Sequence, residues 1–370
     1  MTKGIHLQQN CMISQPMVHL CEKLTEITPK GLNRYFFNVT GSEAIESAVK
    51  LARHETGRQN VIVFNGGFHG RSLTTLGMTT SKTAYRIGYG PFPPAIHTAK
   101  FPYCLHCPVG GDNKPKSSCC GDAMETLRTM LKEQSPPSDT AAIVIEPILG
   151  EGGYVVPPPG FMKQLRQLCD EYGILLVADE VQSGVGRTGK WWATEHEDII
   201  PDILVFAKGI ASGVPLSGIA TAEHRMKKSP PGSMGGTFGA TAVSCAAAVA
   251  TIETIQQENL TGNADKRGQQ LMKGLRKLQV KYPEHILEVR GRGCMVGFEF
   301  NHPAGSGISG AVTAAAMNHG LMLLTTGWRE TIRFIPPLVI TEKEVDTALS
   351  MFEKALDDVL PTWKASKPLA

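Results

Sequence analysis

Apolar and polar positions along the chain alternate between two rhythms. The run YFFNV (35–39) is followed by Gly41-Ser42 and then by EAIESAVKLARHE, where Ala44, Ile45, Ala48, Val49 and Ala52 fall on one helical face. That pattern predicts strand, tight turn and helix, with a second strand at VIVF (61–64). AAIVIEP (141–147) is a continuous apolar run of the kind buried on both faces of a parallel sheet. PGFMKQLRQLCDEYG predicts a helix stopped by Gly173. Strands follow at ILLVAD (174–179), DILVFAK (202–208) and SGIATA (217–222). Strands alternating with helices predict an α/β domain with a largely parallel sheet.

From about residue 241 the rhythm changes. TAVSCAAAVATIETIQQENL predicts one long helix leaving the large domain, followed by a helix over NADKRGQQLMKGLRKLQVKY. Strands are expected in EVRGRGCMVGFEF, LMLLTTG and TIRFIPP, and a final helix in EKEVDTALSMFEKALDDVL. This mixture suits a smaller α+β domain. The expected division is a short N-terminal remnant at 1–18, a large domain at 19–258 and a small C-terminal domain at 259–370. The stretch 100–120, rich in Pro, Gly and Cys, is expected to be a loop or insertion. No fixed-period repeat is present.

Composition narrows the function classes. Over 370 residues, 42% apolar and 19% charged is the make-up of an ordinary globular protein. A formal net charge of +3, with scattered basic residues, gives no field suited to nucleic acid or an anionic membrane. No apolar run is long enough to span a bilayer. The first twenty residues lack the layout of a secretory signal or a transit peptide. Nine cysteines without a disulfide rhythm favour a reducing compartment. A cytoplasmic protein is expected, with the mitochondrion left open.

In a parallel sheet, ligands collect at the carboxyl ends of the strands. ILLVAD ends there in Asp179 and DILVFAK in Lys208. A lysine just past a buried strand is expected to be partly desolvated, which lowers its pKa and makes its amine a better Schiff-base nucleophile. An aspartate nearby can keep a pyridinium nitrogen protonated so that the ring acts as an electron sink. The same spacing also fits a structural Asp–Lys ion pair. Gly41-Ser42 at a helix start offers N–H groups and a hydroxyl to a phosphate, or only a cap. Thr237 in GGTF is a second phosphate hydroxyl or a loop threonine. In FHGR, Phe68 can stack on a planar cofactor and Arg71 can bind a carboxylate, or the ring can be core. Together these features ask for a phosphate-bearing planar cofactor that forms an imine.

The chain resembles the class III aminotransferases, among the fold-type I pyridoxal-phosphate enzymes, and is most like their 4-aminobutyrate branch. The resemblance rests on TGSEAIESAVKLAR, GGFHGRS, IVIEPILGEGGY, LLVADEVQSGVGRTGK, DILVFAKGIASGVPLSG, GGTFGATAVSCAAA, VRGRGCMVGFEF and TIRFIPPL, in family order. It implies pyridoxal 5'-phosphate joined to Lys208, which then moves a proton. It further implies Asp179 on the pyridine nitrogen, Gln182 on the phenolic oxygen, Gly41 and Ser42 at the phosphate, Phe68 on the ring face and His69 packed beside the cofactor. Thr237 would reach the phosphate of a neighbouring subunit, implying a homodimer with shared sites. Arg71 would bind the distal carboxylate of a 4-aminobutyrate-like donor, and Arg333 the α-carboxylate of 2-oxoglutarate or glutamate. Glu151 would cover Arg333 when the substrate has no α-carboxylate, with Glu146 close by. A movable partner spares an unpaired buried arginine.

The implied activity is transfer of an amino group from an ω-amino acid, 4-aminobutyrate first, to 2-oxoglutarate. Ornithine, acetylornithine or 5-aminovalerate as donor is the alternative, as is a truncated cofactor-binding paralogue without turnover. The second alternative is raised because relatives begin several tens of residues earlier, with a segment expected to complete the pocket. Many relatives also carry asparagine at the position of Thr241, near the expected phosphate and dimer contacts. Cys104-x-x-Cys107 with His106 and Cys119-Cys120 has some zinc-site character, but the adjacent second pair suits a tetrahedral site poorly. No metal is expected.

Overall fold

The computed structural model describes residues 6–107, 109, 120–327 and 329–363. Helix α1 (Gln15–Ile27) starts at the Ser14 cap and buries Leu20, Leu24 and Ile27. Strand β1 (Arg34–Asn38) leads into α2 (Gly41–Thr56), whose start is fixed by a capping box between Thr40 and Glu43. Gly57, with φ of 70°, ends it. The apolar face read from the sequence, Ala44 to Ala52, is buried as its spacing requires. Strand β2 (Asn60–Phe64), helix α3 (Leu73–Met78) and strand β3 (Ile96–Ala99) complete this part.

Helix α4 (Asp122–Glu133) leads to β4 (Thr140–Ile145), all six of whose residues are buried. Then come α5 (Phe161–Tyr172), β5 (Leu175–Asp179), β6 (Ile203–Phe206), β7 (Ser217–Thr221) and α6 (Glu223–Met226). The seven strands form one sheet in the order β1-β7-β6-β5-β4-β2-β3. Pairs among β2 to β6 are parallel, whereas β7 runs antiparallel to both β6 and β1. The largely parallel α/β sheet expected from the sequence is present, with β7 as the reversed strand.

The two helices expected over 241–260 and 263–282 are both present, with the boundary between them three residues earlier than the sequence suggested. Helix α7 (Ala242–Gln257) stops where Asn259 takes a left-handed φ of 49°, and α8 (Leu260–Lys281) starts afresh at Leu260. Asparagine tolerates that conformation better than most residues. Strands β8 (Ile286–Arg292) and β9 (Met295–Phe300) form a hairpin inside the single stretch read from the sequence. Helix α9 (Ile308–Asn318), β10 (Leu324–Thr326), β11 (Thr331–Phe334) and α10 (Glu342–Val359) follow, so LMLLTTG is strand over only three residues. The second sheet is antiparallel in the order β10-β11-β9-β8. Among the described residues, no helix is long and apolar enough to cross a membrane.

The second sheet has its own core, in which Phe298 meets Phe300 and Phe352 edge-on at centroid distances of 5.2 and 5.0 Å. Truncating a fully buried ring leaves a cavity that its neighbours fill only in part. Phe298→Ala is expected to cost about 3–5 kcal/mol, read as a lower urea midpoint for the C-terminal region; an unchanged midpoint would contradict this packing.

Candidate active site

All parallel strands of the large sheet end at one edge, and β7 begins there because it is reversed. That edge opens a cavity of about 330 Å³. Gly41 and Ser42 reach it after β1, Phe68, His69 and Gly70 after β2, Glu146 after β4, Asp179 and Gln182 from the end of β5, and Lys208 after β6. The first N–H groups of a helix have no acceptor within it. In α2 the Thr40 hydroxyl accepts from Glu43, so the amides of Gly41 and Ser42 stand at the cavity lining, positioned for an anion.

Asp179 is buried, and its carboxylate accepts from the His69 Nδ1 at 2.7 Å and the Val181 N–H at 3.1 Å. Burial alone would lower the His69 pKa, but the hydrogen bond and charge of Asp179, with the charge of Glu146, outweigh it and raise it. His69 is therefore the charge partner of Asp179. Its backbone N–H donates to the Thr79 hydroxyl at 3.0 Å, which itself donates to the Gly70 carbonyl at 2.9 Å. Gly70 has φ of 133°, and a Cβ there would lie 2.2 Å from Ser42 Oγ, so only glycine lets this loop close on Ser42.

Glu146 lines the cavity, but its two oxygens already accept from the N–H groups of Phe68 at 2.8 Å and Gly150 at 2.9 Å. It clamps two loops together. Burial first, then the charge of Asp179, push its pKa up. Gly150 is held as close to Gln182: a Cβ there would come within 2.4 Å of Gln182 Nε2. The buried Oε1 of Gln182 has no hydrogen-bond partner among the described residues.

Lys208 departs from expectation in one respect. It is exposed rather than partly buried, in a left-handed turn with φ of 46°. The reason is geometric: the turn carries it off the end of β6 to the open side of the cavity. Nor does the Asp179–Lys208 ion pair form, because His69 takes Asp179.

A second cluster adjoins the cavity. Arg333, on β11, pairs with Glu151, which stands on the turn after β4, and both are largely buried. The Tyr154 hydroxyl is buried beside the Arg333 guanidinium, whose charge acts on it. Arg71 is exposed and has no carboxylate partner among the described residues; its guanidinium carbon lies 4.7 Å from the Tyr85 ring centre and 5.7 Å from that of Phe68. Thr237 lies apart, exposed and outside the cavity lining. Thr241 caps α7 by accepting from Ser244 N–H, a task asparagine also performs.

Sequence reasoning missed Tyr85 and a buried cation behind the Glu151 turn. Arg290, on β8, donates to the Gly153 carbonyl through Nε at 3.0 Å and Nη2 at 2.6 Å. It pairs with Glu299 at 2.7 Å and Glu288 at 2.8 Å. Glu299 also takes the Tyr103 hydroxyl and His106, the latter at 2.6 Å. Burial pushes its pKa up, but the charge of Arg290 and the bonds from His106 and Tyr103 outweigh burial and hold it near 2. Alternating positions in VRGRG gave no sign of these distant partners. His106 is thus engaged by Glu299, and Cys107 and Cys120 lie with their sulfurs 3.3 Å apart. Cys119 is outside the described residues. Among the described residues no group of three His, Cys, Asp or Glu side chains is placed to hold a metal.

An aspartate sunk at one strand end, a lysine past the next and an anion-ready helix start facing both describe a fold-type I pyridoxal-phosphate-dependent transferase. The family model for class III aminotransferases matches residues 1–356, and the chain belongs to that family. Over 365 residues it is 39% identical to the 5-aminovalerate aminotransferase DavT of Pseudomonas putida, covering 97% of this chain and 83% of that one. It is 38% identical over 352 residues to the 4-aminobutyrate aminotransferase GabT of Escherichia coli, covering 93% and 80%. Its fold matches a thermostable (S)-enantioselective omega-transaminase from Thermomicrobium roseum with a TM-score of 0.88 at 28% identity, covering 96% and 82%. The protein is a pyridoxal-phosphate-dependent transaminase. Its residues fit the cofactor: the cavity has a buried carboxylate, an orphaned buried amide oxygen on Gln182, and amides at a helix start.

A histidine whose folded-state pKa is raised contributes stability that is full below its unfolded value, about 6.5, and is lost as pH rises through the folded value. The thermal midpoint of the protein should therefore exceed that of His69→Asn most below about pH 6.5, with the gap narrowing as pH rises. A gap that widens with pH would contradict a charged His69–Asp179 pair.

Proposed function

We propose that the protein transfers the terminal amino group of an ω-amino acid, 4-aminobutyrate in the first instance, to 2-oxoglutarate. The observation that carries this reading is the Glu151–Arg333 pair beside an Arg71 that has no carboxylate partner among the described residues. A donor of this kind has one carboxylate, at the end away from its amine. Arg71 binds it, and Glu151 keeps Arg333 neutralised, since an unpaired buried guanidinium is costly. 2-Oxoglutarate has a second carboxylate. Glu151 turns aside, and Arg333 takes that group in a forked pair.

Bound pyridoxal phosphate supplies the carbonyl that takes up the amino group and the ring that acidifies the neighbouring C–H bond. Lys208 holds the cofactor through its amine and, once released, moves the proton from the amine-bearing carbon. Asp179, oriented by His69, keeps a proton on the pyridine nitrogen. Gln182 contacts the phenolic oxygen, Gly41 and Ser42 hold the phosphate, and Phe68 covers the ring. Thr237 serves the phosphate site of a second copy, making a homodimer with shared sites. The exposed side chains of Leu73, Ile87 and Phe238 would be covered in that assembly.

5-Aminovalerate is the second reading, since the Pseudomonas putida relative is named for it. It carries the same charges with one more methylene, and a pocket separates such homologues by only about 10- to 200-fold. The deciding test is the visible absorbance of the purified protein with pyridoxal phosphate, before and after each donor. Loss of the cofactor band with 4-aminobutyrate supports the proposal. A response to 5-aminovalerate alone would move the donor, and a response to glutamate but no ω-amino acid would reject it.

Lys208→Ala is expected to lower turnover by about 10²–10⁴-fold while cofactor stays bound without a covalent link. Wild-type rates would sink the assignment. Glu151→Ala should lower kcat/KM for the ω-amino donor by roughly 10- to 100-fold and spare the glutamate half-reaction. Equal losses in both half-reactions would count against a switch.

A further inference from the structure

We infer that Tyr85 is a positioning residue for Arg71 and so sets the enzyme's preference for substrates with a distal carboxylate. This rests on the reading of Arg71 above. Arg71 is exposed, and a free arginine side chain in water spreads over many rotamers. Its backbone is fixed, because its N–H donates to Ser42 Oγ at 3.2 Å. Its head is fixed by one neighbour above all. The guanidinium carbon sits 4.7 Å from the Tyr85 ring centre, within the range of cation–π attraction, and 5.7 Å from that of Phe68.

Tyr85 is in turn held in place. Its ring meets Phe68 edge-on at 5.6 Å, and it ends a short helical turn formed by Thr83–Tyr85. Phe68 lines the cofactor cavity, so Tyr85 ties the Arg71 head to the wall of that cavity. The Tyr85 hydroxyl also reaches Glu151 Oε2, but at 3.5 Å that bond is at the limit of usefulness. The ring rather than the hydroxyl carries the effect. A cation–π contact uses no hydrogen-bond donor, so the N–H groups of Arg71 stay available to a carboxylate.

The experiment compares Tyr85→Leu, Tyr85→Phe and Arg71→Ala with the parent enzyme loaded with pyridoxal phosphate. KM and kcat are measured for 2-oxoglutarate and for the ω-amino donor, with cofactor affinity alongside. Tyr85→Leu is expected to raise both KM values roughly fivefold, with kcat and cofactor affinity little changed. Tyr85→Phe, which keeps the ring, should restore the parent KM. Tyr85→Leu should add nothing once Arg71 is alanine. If Arg71→Ala raises KM and Tyr85→Leu does not, the inference about Tyr85 fails while the reading of Arg71 stands. If Arg71→Ala leaves KM unchanged, the reading of Arg71 fails and this inference falls with it. A Tyr85→Leu effect confined to kcat or to cofactor affinity would also overturn it.

Discussion

The site is organised around one buried charge. A carboxylate at the end of a central strand is surrounded by apolar sheet and helix, and it persists there only with compensating partners. Asp179 finds them in His69 and the Val181 amide. Placing His69 at that spot dictates the course of the loop after β2, since the backbone of His69 and the carbonyl of Gly70 both bond the Thr79 hydroxyl. Gly70 is thereby pressed on Ser42, and the Arg71 amide donates to the same hydroxyl. The placement of Ser42, Gly70 and Arg71 thus follows from the need to satisfy Asp179.

Much of this was legible in the residues, for reasons that also explain what was not. A buried strand announces itself as an apolar run, and a charged residue closing it marks the sheet edge, so Asp179 and Lys208 could be placed together. A run carries no arrow, however. Nothing in SGIATA distinguishes the reversed β7 from its parallel neighbours. The break between α7 and α8 was legible, but its position at Asn259 was not, because a left-handed residue between two helices leaves the apolar spacing almost unchanged. The exposure of Lys208 depends on the turn it occupies, which the strand before it does not encode.

Side chains whose meaning lies in distant partners were the least visible. Arg290 and Gly153 meet across 137 residues, and Tyr85 and Glu151 across 66. Local spacing contains no trace of either pairing. The roles of Glu151 and Arg333 came from family resemblance alone, and the fold brings the two together. Around them the backbone is braced: Glu146 and Gln182 press on Gly150 from one side, and Arg290 grips the Gly153 carbonyl from the other. In the proposed switch, that bracing leaves the Glu151 side chain rather than the turn as the part free to change.

The reversed strand has a consequence for how the molecule comes into being. β1 pairs with β7 alone, and the Ser217 hydroxyl holds the Thr40 carbonyl at the start of α2. During synthesis, β1 and the start of α2 leave the ribosome early, yet the strand that pairs with β1 emerges only after β2 to β6. A nascent chain thus carries a half-built sheet with an unpaired first strand for about half of its elongation. Because the residues lining the cavity run from Val39 to Leu216, its strand framework is complete before any strand of the second sheet has been made.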